Sequence, residues 1–198
     1  TNTGAHQTLG RTRGAKNVFD IDPTQLIQAI SRIESDASIV GQEQFDGAGP
    51  FCLGAVASPF ADPMELQVMR VVKKVNAGAH FLITQPVFDI DRFDVWWKQV
   101  AETGAHEKTA ILAGVHILTD AQSAREFAAK RPSPRVPDAL IERIQSQTEE
   151  TAQRSAGIDI AVEAIQRLSS IEGLRGFEIC GDEDATLEVI QKTGLRID

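Results

Sequence analysis

The sequence predicts an α/β fold built on a parallel sheet, and three observations carry the prediction. Short apolar runs without polar alternation recur at residues 51–58, 80–85, 109–118 and 174–180, the pattern of strands buried on both faces. Between them lie segments whose apolar residues return with helical spacing, so strand and helix alternate four times. No GxGxxG follows any strand and no GxxxxGK occurs, which argues against a nucleotide-binding doubly wound sheet and for a (β/α)8 barrel. An eight-fold barrel runs to about 250 residues, so four units in 198 residues amount to half of one.

The elements follow in order. Asp22-Pro23 starts a helix carrying Leu26, Ile27, Ile30 and Ile33, since proline is pre-shaped for the first helical position. The turn-rich 41–50 leads into the strand FCLGAVAS. Asp62-Pro63 opens a second helix with Leu66, Met69, Val71, Val72 and Val75 as its apolar residues. NAGAH ends it, the strand HFLITQ follows, and a helix spans about 89–102, in which Trp96 and Trp97 are expected to pack against the sheet. Thr103-Gly104 closes that helix before the strand TAILAGVHIL. Asp120 is a cap for a helix reaching Phe127. The proline-rich 131–138 is irregular, and helices over about 137–147 and 150–169 come next. The strand LRGFEIC and a helix near 184–192 finish the chain.

Composition excludes several classes. The net charge of −8 with scattered basic residues argues against nucleic acid, which rewards clustered Lys and Arg. No run approaches the ~20 apolar residues of a membrane span, and no secretory signal opens the sequence, so the expectation is a cytoplasmic protein. Cys52 and Cys180 are lone cysteines within strand runs. Without CxxC pairs or Cys/His metal spacing, they read as buried free thiols rather than metal ligands.

One stretch is more specific. ADPMELQVMRVVKKVNAGAHFLITQPVFDIDRF resembles the central segment of methylenetetrahydrofolate reductases. The resemblance lies in a helix ending Lys73-Lys74, the turn Ala77-Gly78-Ala79, the strand end Ile83-Thr84-Gln85 and the helix start Phe88-Asp89. ILAGVHIL, REFAAK, RVPDALIERI and IAVEAIQRLSSIEGLRGFEI continue it in order, so it covers most of the chain from Thr3 onward. HEKTAILAGV and GAVASPFADP are similar to the anaerobic-type bacterial branch. The family consists of flavin-dependent (β/α)8 barrels. The resemblance therefore implies that this chain supplies roughly strands 5–8 and the end of strand 4, as the C-terminal part of one barrel domain over residues 1–198. Its partner would be an N-terminal half lying outside this sequence.

The resemblance implies a reaction as well. A hydride passes from N5 of a reduced flavin (FAD or FMN) to the methylene carbon of 5,10-methylenetetrahydrofolate, giving 5-methyltetrahydrofolate. NAD(P)H would serve as direct or indirect donor, with an electron-transfer subunit as a further partner. By position Gln85 matches the glutamine that hydrogen-bonds the pterin, a task suited to an amide's adjacent donor and acceptor. Phe127 matches the aromatic against the aminobenzoyl part of the folate substrate. Thr3, Gly4, Phe19, Asp20, Ala57 and Ser58 match flavin contacts. Lys73 and Lys74 match cations at the flavin's phosphate or ribityl arm, where a compact charge suits phosphate.

The residues also admit plainer roles. Gln85 can tie down a strand end, Phe127 can be core, and Lys73-Lys74 can answer a helix dipole. Three departures from the family stand beside the matches. Ala5 replaces an aspartate next to the flavin and folate. The last strand reads FEICGDED instead of ending in TLN. The half carrying the catalytic glutamate is not in this sequence, which leaves His6 as the nearest acid on offer and no catalytic residue assigned. Ala5 favours a rival reading, a folate-binding methyltransferase or accessory subunit without redox chemistry.

Overall fold

The computed structural model describes residues 21–36, 49–130 and 136–196. Thr3, Gly4, Ala5, His6, Phe19 and Asp20 lie outside the described residues. Four parallel strands form one sheet in sequential order: β1 (Gly54–Ala57), β2 (Phe81–Pro86), β3 (Ala110–His116) and β4 (Gly176–Cys180). Helices α1 (Pro23–Asp36), α2 (Met64–Asn76), α3 (Ile90–Glu102) and the short α4 (Ala105–Lys108) accompany the first three strands. After β3 come α5 (Ala121–Lys130), α6 (Asp138–Gln145) and α7 (Glu150–Leu168), and α8 (Glu183–Thr193) follows β4. A parallel sheet in sequential order with helical crossovers is a run of a (β/α)8 barrel, so the expected fold class holds.

Side-chain alternation along each strand decides which face the helices cover. Ala55 and Ala57 of β1, Leu82 of β2, and Ile111, Ala113 and Val115 of β3 are buried in the main core. That core also takes Phe93, Trp96, Trp97 and Val100 of α3, Val68 and Val71 of α2, and Ile158, Ala161, Ile165 and Leu168 of α7. The rings of Phe93 and Trp96 stand 5.4 Å apart, so the two tryptophans are packing residues, as expected. A side chain of this size gains about 1.5–3 kcal/mol on full burial, which is why α3 anchors the sheet. On the opposite, inner face Val56 is 44% exposed.

A second, smaller core gathers helix and loop residues at the end of β3. Leu118, Ala124, Phe127, Val136, Ile144 and Ile160 are buried there. Caps mark the turns: Asp89 accepts from the backbone N–H of Arg92, Asp120 from Ser123, and Asp182 from Ala185. Arg92 then ties α3 to the loop between β1 and α2, donating to Phe60 O and pairing with Asp62.

Two expectations need correcting. Residues 51–53 are not strand, because β2 begins only at Phe81, paired with Gly54. Phe51 and Cys52 therefore have no ladder partner, and both are exposed, so Cys52 is not a buried thiol. On α2, Leu66 and Met69 face solvent and the buried stripe runs instead through Gln67, Val68 and Val71. Cys180 lies in β4, half-buried.

Candidate active site at the strand ends

In (β/α)8 barrels the C-terminal ends of the strands form the chemical face. Here those ends are Ala57-Ser58, Gln85-Pro86, His116 and Cys180. The end of β2 is not regular. Ile83 pairs with Leu112 and Pro86 with Gly114, so Thr84 and Gln85 together stand against Ala113 alone. This is a β-bulge, a device that re-aims the chain beside active sites.

Sequence builds the bulge from two residues. The Thr84 hydroxyl accepts from the Gly114 backbone N–H at 3.0 Å and donates to Gln85 O at 2.9 Å. It thus restores the pairing that the extra residue interrupts. Gly114 has to be glycine: a Cβ there would sit 2.6 Å from Thr84 O and 3.1 Å from the Gln85 carbonyl carbon. Thr84 and Gly114 hold the backbone that carries Gln85, which is half-buried at the strand end. Sequence reading singled out Gln85 and missed this support, whose only trace is a threonine before the glutamine and a glycine in the next strand.

Phe127 is 7% exposed. Its ring lies 4.6 Å from the His116 ring and 5.5 Å, edge-on, from Phe88. The three rings join the ends of β2 and β3 to α5. Beside them a cavity of about 120 Å³ is lined by Val87, Phe88, His116, Leu140 and Ile160, with Glu163 and Arg167 among its polar residues. Gln85 thus stands at the end of β2, while Phe127 of α5 packs on His116 at the end of the neighbouring strand β3.

Ala57 is buried as the last residue of β1, and Ser58 is half-buried. The Lys74 ammonium donates to Val56 O at 2.5 Å, along the outer edge of β1. Burial holds its pKa below the ordinary lysine value, repulsion from Arg70 adds to this, and Asp22 opposes it. Lys73 is exposed in the same last turn of α2. That turn lies just before β2 begins, away from Gln85 and Phe127, so the structure groups Lys74 with β1 and not with the aromatic cluster.

The family model for methylenetetrahydrofolate reductase matches residues 23–194. The chain belongs to the methylenetetrahydrofolate reductase family. A curated relative, methylenetetrahydrofolate reductase 1 of Schizosaccharomyces pombe, is 25% identical over 152 residues, covering 73% of this chain and 24% of that protein. The chain therefore spans about a quarter of that relative's length. Among solved structures, an uncharacterized protein from Clostridium thermocellum that binds two copies of 5-methyl-5,6,7,8-tetrahydrofolic acid superposes with a TM-score of 0.55 at 14% identity. That match covers 72% of this chain and 52% of that one, and at this identity it speaks for the fold. Among the described residues no helix is long and apolar enough to cross a membrane, and no group of three or more His, Cys, Asp or Glu is placed to hold a metal.

Proposed function

We propose that this chain is the C-terminal part of a flavin-dependent methylenetetrahydrofolate reductase barrel. In this reading it carries the folate-facing wall and one side of the flavin site. The observation that carries the reading is the built bulge at Thr84-Gln85: two hydrogen bonds and an obligatory glycine serve to hold one amide at the catalytic end of a family-matched strand. The structural neighbour from Clostridium thermocellum binds 5-methyl-5,6,7,8-tetrahydrofolic acid, and that amide would meet the pterin of such a ligand here.

The flavin would lie at the end of β1. On the inner face of that strand the Phe81 ring covers Gly54 and Val56 is exposed, while Ala55 and Ala57 turn into the main core. A planar ring would therefore rest against Val56 and meet Ala57 only through its backbone, with the Ser58 hydroxyl at the strand end and the Lys74 cation at the Val56 carbonyl for an anionic arm. Ala57, Ser58, Lys73 and Lys74 would hold the cofactor on this chain, with Thr3, Gly4, Phe19 and Asp20 as further contacts, and when bound it would supply the hydride. The chain's own residues orient and exclude water. Gln85 fixes the pterin edge, and Phe127 with Phe88 and His116 offers an aromatic surface to the aminobenzoyl ring. Orientation of this kind is where most of such a barrier is removed. Phe127 would move little on binding, being already packed. An N-terminal half-barrel, an electron-transfer subunit and NAD(P)H as ultimate donor complete the proposal, in a cytoplasmic setting.

A second reading has one observation in its favour, Ala5 at the position of a family aspartate. It is a folate-binding methyltransferase or accessory subunit without redox chemistry. A visible spectrum of the purified protein with added FAD and with added FMN separates the two. The reductase reading expects flavin bands that dithionite bleaches and 5,10-methylenetetrahydrofolate restores. A colourless protein that takes up neither flavin, yet binds folate, would move the assignment to the second reading.

A further inference from the structure

The last strand places a carboxylate on the catalytic face. Phe177 and Ile179 pack against the main core, so Glu178 and Cys180 point to the other, inner side by strand alternation. The register sets Glu178 beside Gly114 and Cys180 beside His116. The Cys180 thiol donates to Glu178 Oε1 at 2.7 Å. Among the described residues no cation pairs with Glu178, so a half-buried anion faces the inside of the sheet near its active end without a countercharge.

Its neighbourhood has a shape. The β2 and β4 backbones stand two strand spacings apart, about 9.5 Å, with β3 between them. At the row of Glu178 the intervening residue is Gly114, and the bulged Thr84–Gln85 backbone leans over it where a side chain would stand. The amide residue Gln85 ends one flanking strand and the Glu178 carboxylate rises from the other, with no side chain on β3 between them at that row.

We infer that Glu178 is a specificity-determining residue that reads the 2-amino-4-oxopyrimidine edge of a reduced pterin, with Cys180 positioning it. This rests on the folate reading proposed above. Two carboxylate oxygens match two adjacent donors, the ring N3–H and the exocyclic 2-amino group, as a paired, charge-assisted contact. Gln85, carrying both donor and acceptor, suits the mixed pattern elsewhere on the same ring. No proton or electron changes hands; Glu178 selects and orients.

The test is Glu178→Gln, which keeps shape and removes the charge. Calorimetric titration would compare 5-methyltetrahydrofolate with its 2-desamino analogue on wild type and variant. The expected result is a roughly ten- to hundredfold weaker affinity for 5-methyltetrahydrofolate, the usual range for a hydrogen bond to a charged group. The analogue, lacking one of the two donors, should lose much less, and Glu178→Asp should recover part of the affinity. Equal losses for both ligands would mean a structural role and overturn the inference, as would no loss for either. If wild type binds neither ligand, the folate reading itself fails, a result distinct from a wild type that binds while the variant does not discriminate.

Discussion

The two cores of this chain are built differently. The main core is backed by four strands, and its largest members, Phe93 and Trp96, are fully buried between α3 and the sheet. The smaller one has only the end of β3 behind it: α5, α6 and the first half of α7 close on Phe127 and Ile144 there, with Leu118 and the His116 ring. The first fixes the geometry of the strand ends. The second carries an aromatic of the candidate site and is held mostly by contacts among helices and loops, with one strand end beside it, so it is the region that can yield locally while the sheet stands. Local opening is drawn from parts with few buried apolar contacts.

Paired truncations would break or sharpen that contrast most strongly. Phe93→Ala should cost about 3–5 kcal/mol and Ile144→Ala about 2–5 kcal/mol. The difference lies in where the loss is felt. Phe93→Ala should lower the urea midpoint and the exchange protection of all four strands together. Ile144→Ala should strip amide protection from α5 and α6 and leave β1 to β3 close to wild type. Uniform loss of protection in both variants would show one cooperative unit and remove the distinction.

Much of this architecture was legible in the sequence. Apolar runs, Asp caps and Asp-Pro helix starts marked the order of strands and helices, because each is a local cause acting within a few residues. What escaped depended on register. That residues 51–53 stay out of the sheet follows from where β2 starts, which no property of those residues announces. Leu66 and Met69 have the same apolar character as Val68 and Val71, and only the packing of α2 tells them apart. The bulge at Thr84-Gln85 needs Gly114, thirty residues on. The alternation Phe177, Glu178, Ile179, Cys180 is readable too, yet the strand stood out in the sequence only as a departure from its family. Gln85 was chosen by resemblance, and the structure adds the physical reason its backbone is held.

Gly157 is where the two cores meet. It sits on α7 between Ala156, which packs on the small core, and Ile158, which is buried in the main one. A Cβ at Gly157 would fall 1.7 Å from Leu118 O and 2.8 Å from Leu118 C, both backbone atoms that cannot swing aside. Alanine in place of helical glycine normally gains about 1 kcal/mol. Overpacking costs about 1–3 kcal/mol and sometimes more, so Gly157→Ala should be net destabilising. It should also part α7 from the end of β3, loosening Phe127 from His116. A thermal melt at or above the wild-type midpoint would show that helix and strand end separate at no cost, and the junction would lose its role.

The smallest expected effect concerns how α6 is tied to α7. Arg143 meets Glu163 with both nitrogens, at 2.7 Å each, and the hydrogen bond from Arg143 is the main cause holding the Glu163 pKa below the ordinary glutamate value. Both side chains are more than a third exposed, 40% and 56%, so solvent screening reduces the pair to about 0.5 kcal/mol. A depressed carboxylate pKa contributes stability that is fully present above the unfolded value, about 4.3, and is lost as pH falls through the folded one. Stability of Glu163→Gln against wild type should therefore differ by a constant few tenths of a kcal/mol at neutral pH, and the gap should close in acid as wild-type Glu163 protonates. The gap should also shrink with salt. A gap that persists unchanged in acid would assign the loss to packing of the side-chain stem, and the small core would then owe nothing to this charge pair.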